Sequence, residues 1–216
     1  MNETPTNSGV QVPHEAMASS ALMSILADLI GFDTTSRNSN LELIRYVEDY
    51  LSQHGVKSTL VHDDSGHKAN LYATIGPAEL GGVMLSGHTD VVPVDGQRWA
   101  SDPFVLERID DKVFGRGSAD MKGFIACVLE WVPEMVAASL TTPIHIALSY
   151  DEEVGCIGVR RLLDLMEKMP VVPSMAIIGE PTDMKVVNAH RGVAVYRTQV
   201  TGRPGHASAT HKGGSA

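Results

Sequence analysis

One histidine and five acidic residues are the parts of this chain that could do chemistry together: His88, Asp90, Asp120, the adjacent Glu152 and Glu153, and Glu180. His88 and Asp90 follow the run Val83-Met84-Leu85-Ser86-Gly87, an apolar strand that breaks on small residues. An imidazole with a carboxylate close behind it can ligate a metal while the carboxylate orients the ring. Taken singly, each acid reads as a helix cap or a polar turn. Several at the ends of separate elements mean more, because crowded carboxylates repel one another unless a cation lies between them. One imidazole, several carboxylates and no cysteine suit zinc, cobalt or manganese. In the Glu152-Glu153 pair, neighbouring residues of an extended segment should point in opposite directions. One would then ligate metal, and the other could shuttle a proton between an attacking water and a leaving nitrogen.

These side chains need elements to carry them to one place. Apolar spacing predicts helices over 16–30, with Gly31 as the stop, and over 41–54, with Asn40 as the cap and Gly55 at the end. Strands are predicted over 57–62 and 70–75, parted by the turn Asp63-Asp64-Ser65-Gly66. The run into His88 is apolar on both faces, which suits a central strand covered by helices. Pro93 takes the chain out of the sheet. An irregular excursion over 97–116 then ends in a short hairpin at Asp110-Asp111-Lys112, a loop long enough to wall a cleft. A helix over 121–138 should kink or split at Pro133. A strand over 144–150 runs into Asp151-Glu152-Glu153, a helix over 157–168 follows, and a strand over 175–178 runs into Gly179-Glu180. Strands alternating with such helices predict a three-layer α/β domain whose ligand crevice lies at the carboxyl ends of the strands. From Val186 the texture changes to a strand of mixed polarity with Val193, Val195, Arg197, Gln199 and Thr201, read as the start of another domain.

Composition narrows the function classes. The chain has 216 residues, 43% hydrophobic and 20% charged, with a net charge of −9 and no Lys/Arg run, a poor match to nucleic acid or to an anionic membrane. No apolar run reaches the roughly 20 residues that span a bilayer, and the polar stretch 1–13 reads as a disordered tail without a secretory signal. Two cysteines, Cys127 and Cys156, build no disulfide framework and fit a reducing cytoplasm. Both are expected to be small buried apolar residues. The chain stops at Gly213-Gly214-Ser215-Ala216 just after a strand and loop, which reads as a C-terminal truncation.

Other motifs fail on context. Gly115-Arg116-Gly117 lacks the third glycine of a dinucleotide fingerprint, the 117–123 stretch lacks the Gly-Lys-Ser/Thr end of a phosphate loop, and neither HExxH nor a G-x-S-x-G elbow occurs. His14, His54, His62 and His67 read as surface residues and His145, between Ile144 and Ile146, as structural; His190 and His211 stay undecided.

Four motifs, in order and spacing, resemble one family: Ser86-Gly87-His88-Thr89-Asp90-Val91-Val92-Pro93, Gly115-Arg116-Gly117-Ser118-Ala119-Asp120-Met121-Lys122-Gly123, Asp151-Glu152-Glu153-Val154-Gly155 and Gly179-Glu180-Pro181-Thr182. They are similar to those of the co-catalytic zinc metallopeptidases, which include N-acyl-amino-acid deacylases and carboxypeptidases. The resemblance implies a catalytic α/β/α domain with a mixed central sheet over 14–190 and the start of an α+β lid or dimerisation domain over 191–216. It implies two Zn2+ ions, with Co2+ as a substitute. His88 and Glu180 would hold the first, Glu153 the second, and Asp120 would bridge them. Asp90 would orient His88, and Glu152 would be the general base. His206 would stabilise the oxyanion in the active site of a partner subunit, so a homodimer is implied. The substrate implied is a small N-acyl amino acid. Gly123-Phe124, Thr182 and Ala189-His190-Arg191-Gly192 are more similar to the branch that deacetylates N-acetylornithine than to the branch that removes succinate from N-succinyl-diaminopimelate, which stays the alternative with other N-acyl-amino-acid hydrolases and carboxypeptidases of the family; Arg191 stands where lysine is more usual. The family's remaining histidine ligand is expected beyond residue 216. The competing expectation is an inactive fragment that lacks this histidine.

Overall fold

The computed structural model describes residues 19–189, 191, 192, 194, 196–203, 208 and 214. Helix α1 (Ser20–Gly31) starts where the Ser19 hydroxyl accepts the Leu22 N–H at 3.0 Å, and it buries Ile25, Leu26, Leu29 and Ile30. Helix α2 (Leu41–Gln53) buries Leu43, Ile44, Val47 and Leu51. It ends where the Gly55 N–H reaches the Ser52 carbonyl at 2.9 Å with φ at +75°, a backbone that glycine adopts without strain. Strands β1 (Ser58–His62), β2 (Ala69–Ile75) and β3 (Val83–His88) follow, then a small hairpin of β4 (Glu107–Ile109) and β5 (Lys112–Phe114). The helix expected to kink at Pro133 is split into α3 (Lys122–Glu130) and α4 (Val132–Ala137), with the proline in the first turn of the second piece, where its missing N–H costs nothing. Strand β6 (Ile144–Ser149), helix α5 (Val159–Met166) and strand β7 (Met175–Ile178) complete the set.

The large sheet is mixed, in the order β1-β2-β6-β3-β7. β2 is antiparallel to β1 and β6, whereas β3 is parallel to both its neighbours, β6 and β7. Helices α1, α2 and α3 close one face over a core that includes Leu29, Leu43, Leu71, Ile125, Leu129 and Ile146. Helix α5 covers part of the other, with Leu162 against Tyr72 and Ala147. The result is the three-layer α/β/α architecture. Its register matters for chemistry: His88 pairs with Ser149 and Ser86 with Ile178, so the segments after β3, β6 and β7 leave the sheet from one edge. Among the described residues no helix is long and apolar enough to cross a membrane.

The chain divides into two compact units, 1–181 and 182–216. In the second, the Thr182 hydroxyl donates to the Lys185 carbonyl at 2.7 Å, and Arg203 and Gly214 exchange backbone hydrogen bonds at 2.9 Å. The mixed-polarity strand expected after Val186 is not formed by the described residues of that stretch; Val193 and Val195 lie outside them.

Two local expectations are corrected. Asn40 does not cap α2 with its side chain. Its amide instead faces the Ala69 backbone, accepting from the N–H at 3.0 Å and donating to the carbonyl at 2.8 Å, and also donates to the Thr89 hydroxyl at 2.9 Å. A buried amide that satisfies two otherwise orphaned backbone groups is worth more there than at a helix end that water can reach. Cys127 and Cys156 are exposed rather than buried, one on the outer side of α3 and the other in the turn after Glu153. Asn40→Ala should therefore destabilise the protein by about 2–4 kcal/mol, whereas Asn38→Ala, which removes one long bond of 3.4 Å to the Asp33 carbonyl, should cost less than about 0.5 kcal/mol; urea denaturation of both variants checks the contrast.

Candidate metal centre

His88 closes β3 and is 2% exposed. Its ring is fixed from behind: Nδ1 lies 2.9 Å from the Asp90 carbonyl oxygen, which can only accept, and 3.6 Å from the Asp90 carboxylate. That leaves Nε2 pointing off the sheet edge. It lies 3.0 Å from Asp120 Oδ1, 3.5 Å from Glu180 Oε1 and 3.9 Å from Glu152 Oε2. The side-chain donor atoms of His88, Asp120 and Glu180 fall within 4.8 Å of one another, as do those of His88, Glu152 and Glu153. The structure thus brings His88, Asp90, Asp120, Glu152, Glu153 and Glu180 together; His206 lies outside the described residues.

Each acid arrives for a local reason. Asp120 ends the Gly115–Asp120 loop, which turns at Gly117 with φ at +87°; a Cβ there would sit 3.0 Å from both Lys122 Cδ and Val91 Cγ1, so the loop packs this tightly only on glycine. Glu180 follows Gly179, whose backbone lies against the Phe124 ring so closely that a Cβ would fall 2.0 Å from it. Glu152 and Glu153 enter a turn in which the Gly155 and Cys156 N–H groups both reach the Glu152 carbonyl at 2.9 Å, after Asp151 with φ at +56°. This turn overturns the expectation that the two glutamates point in opposite directions, since the segment is not extended and both carboxylates come within reach of His88.

One residue that sequence reasoning missed is Ser36. Its hydroxyl donates to Asp90 Oδ2 at 2.7 Å, while the Glu152 and Glu153 N–H groups donate to Asp90 Oδ1 and Oδ2 at 3.0 and 3.2 Å. A serine more than 50 positions before its partner leaves no local signal in a sequence. His145 is structural as expected: Nε2 donates to the Gly81 carbonyl at 2.9 Å, and Nδ1 accepts from the Tyr72 and Thr74 hydroxyls.

The electrostatics are those of an anionic cage. Burial, then the charge of Asp120, raises the Glu153 carboxyl; burial, and to a lesser extent Asp120 and Glu152, raises that of Glu180. Burial would lower His88, but Asp90 and then Glu180 outweigh it and push it up to about 9. Burial also works to raise Asp90, yet His88, the Ser36 hydroxyl and the Glu152 N–H hold it below its ordinary value. A divalent cation fits this donor set, because one imidazole nitrogen and several carboxylate oxygens converge on it.

Behind the cage Lys122 is fully buried, with Nζ donating to the Phe32 carbonyl at 2.7 Å; desolvation, only partly offset by Asp33, lowers it to about 7. In the metal-free protein the two shifted groups oppose each other. Folded His88 keeps a proton that the unfolded chain gives up above pH 6.5, so its contribution to stability is complete below that pH and is lost as pH rises through about 9. Folded Lys122 has released above about 7 a proton that the unfolded chain holds to 10.5, so its effect is a gain in stability as pH rises over that window. Between pH 7 and 9 the wild-type profile should be nearly flat. Urea denaturation of chelator-treated protein should show Lys122→Met losing about 1 kcal/mol of stability per pH step in that window and His88→Gln gaining about as much. Flat profiles for both variants would contradict the charge assignment.

Comparison with known proteins identifies the family. The sequence pattern of Peptidase family M20/M25/M40 matches residues 84–211. Acetylornithine deacetylase of Pasteurella multocida (strain Pm70) is 41% identical over 176 residues, which is 81% of this chain and 45% of that protein. The enzyme of the same name from Yersinia pseudotuberculosis serotype O:1b (strain IP 31758) is 39% identical over 189 residues, 85% of this chain and 48% of that one. The chain therefore spans about half the length of the curated relatives it matches. Among solved structures, human carnosine dipeptidase 1 superposes with a TM-score of 0.64 at 23% identity, covering 73% of this chain and 38% of that one. The M20 family metallo-carboxypeptidase Sso-CP2 from Sulfolobus solfataricus gives 0.64 at 21% identity, over 74% and 37%. At such identities these two likenesses are of fold. The family match takes in every side chain that converges at the sheet edge, and the chain belongs to peptidase family M20/M25/M40.

Proposed function

We propose that the protein is a metal-dependent amidohydrolase that removes the acetyl group from N-acetylornithine. The observation that carries the hydrolytic reading is His88 Nε2 facing three carboxylates at 3.0, 3.5 and 3.9 Å while Nδ1 is held by Asp90. The substrate rests on the curated relatives, which are acetylornithine deacetylases at 37–41% identity. In this reading His88 and Glu180 would hold one divalent ion, Zn2+ or Co2+, and Glu153 a second, with Asp120 available to both. A divalent cation bound there supplies Lewis-acid polarisation of an amide carbonyl and makes hydroxide available from water near neutral pH.

The chain's own groups do the rest. Asp90 accepts at the Nδ1 side, fixing the tautomer that leaves the Nε2 lone pair free for a cation. The Glu152 carboxylate, with its side chain 37% exposed on the open side of the cage, takes the proton of the attacking water and returns it to the departing nitrogen. Cys156 Sγ donates to Glu152 Oε1 at 3.5 Å and so bears on the same carboxylate. His206 is assigned to the oxyanion of a partner subunit's site, and the working unit is a homodimer.

Glu152→Gln in the full-length protein should keep its metal content and lose about 10²–10⁴-fold in kcat on N-acetylornithine, whereas Glu153→Gln should lose metal. Elemental analysis beside initial-rate kinetics checks both, and a fully active Glu152→Gln protein with its metal in place removes the assigned base. Faster turnover of N-succinyl-diaminopimelate than of N-acetylornithine overturns the substrate.

A further inference from the structure

The Glu152-Glu153 turn is held from below by a strap that the catalytic assignment does not use. Residues 34–36 run beside the segment after β3: Thr35 and Val91 form a parallel bridge, the Val91 N–H reaches the Thr34 carbonyl at 3.1 Å, and the Ser36 N–H reaches the Val91 carbonyl at 3.1 Å. This places the buried Ser36 hydroxyl on Asp90 Oδ2, the oxygen that also accepts the Glu153 N–H. On the other side of Ser36, its carbonyl accepts from Lys68 Nζ, and the same ammonium pairs with Asp151 Oδ1 at 2.5 Å. The Lys68 and Asp151 side chains are each only 16% exposed, and Lys68 also lies 5.9 Å from the centre of the Tyr150 ring. Asp151 is the left-handed residue on which the turn into the two glutamates pivots.

We propose that Ser36 and Lys68 are positioning residues for the Glu152-Glu153 pair. Ser36 fixes the carboxylate from which the two glutamate N–H groups hang, and Lys68 ties the pivot of the turn to the backbone of that same serine. Ser36, Asp90 and Lys68 together hold this turn, so the two carboxylates cannot swing apart without breaking a largely buried ion pair or stripping Asp90 of its donors. The inference rests on the reading of Glu152 as base and Glu153 as ligand. It adds two residues to which that reading gives no part in holding metal or moving a proton.

The test uses the full-length protein with Ser36→Ala and Lys68→Met, each alone and combined with Glu152→Gln. Calorimetric titration of the metal-free single variants with zinc should show affinity falling about 10–100-fold, the usual effect of losing an outer hydrogen-bond partner. Turnover of an N-acyl amino acid should fall by a similar factor in kcat with KM changed less than about threefold. With zinc saturating, so that the effect through Glu153 is removed, neither substitution should lower kcat further in the Glu152→Gln background, because the remaining loss of kcat runs through Glu152; a merely structural role predicts losses that multiply. Unchanged zinc affinity and unchanged kcat in a folded variant, or losses that multiply in full, overturn the proposal. If Lys68→Met does not fold, Ser36→Ala decides. If Glu152→Gln is itself fully active, the assigned base is wrong and the zinc titration alone decides the strap.

Discussion

The Asp90 carboxylate is 2% exposed, yet it takes hydrogen bonds from the Ser36 hydroxyl and from the Glu152 and Glu153 backbones and faces the inner nitrogen of His88. Burying an ionised carboxyl is costly unless donors replace water around it. Here the replacements come from the ends of β3 and β6 and from the loop between α1 and α2. The charge therefore makes these segments depend on one another, and none can move without exposing the rest to an unpaired buried anion.

The sheet makes that convergence possible. β3 lies between two parallel partners, so three strands release their carboxyl ends at one edge, while the antiparallel β1 and β2 extend the sheet away from the site. Buried amides secure the corners: Asn40 joins the start of α2 to β2 and Thr89, and Asn70 accepts the Tyr150 N–H while donating to the Gly158 carbonyl at 2.9 Å. A rigid backbone keeps the donor carboxylates close together, where mobile ones would separate.

Much of this was legible in the sequence, because strand ends, glycine breaks and acidic residues sit next to one another along the chain. His88, Asp120, Glu152, Glu153 and Glu180 could each be found that way. What escaped depends on contacts between distant segments. Ser36 meets Asp90 across 54 positions and Lys68 meets Asp151 across 83, and no local pattern marks either. The misreading of Asn40 as a cap and of the glutamates as opposed has the same origin, as tertiary hydrogen bonds overrode the rule for an isolated helix end and an isolated strand.

The central claim is that the outward nitrogen of His88 and the surrounding carboxylates form a cation site. Anomalous diffraction at the zinc edge from crystals of the zinc-loaded full-length protein tests it most directly. The account predicts a peak at about 2.0–2.2 Å from His88 Nε2 and from oxygens of Asp120 and Glu180, with His88 Nδ1 still on Asp90. A zinc ion bound elsewhere, or bound through His88 Nδ1 with the Asp90 contact broken, would contradict it.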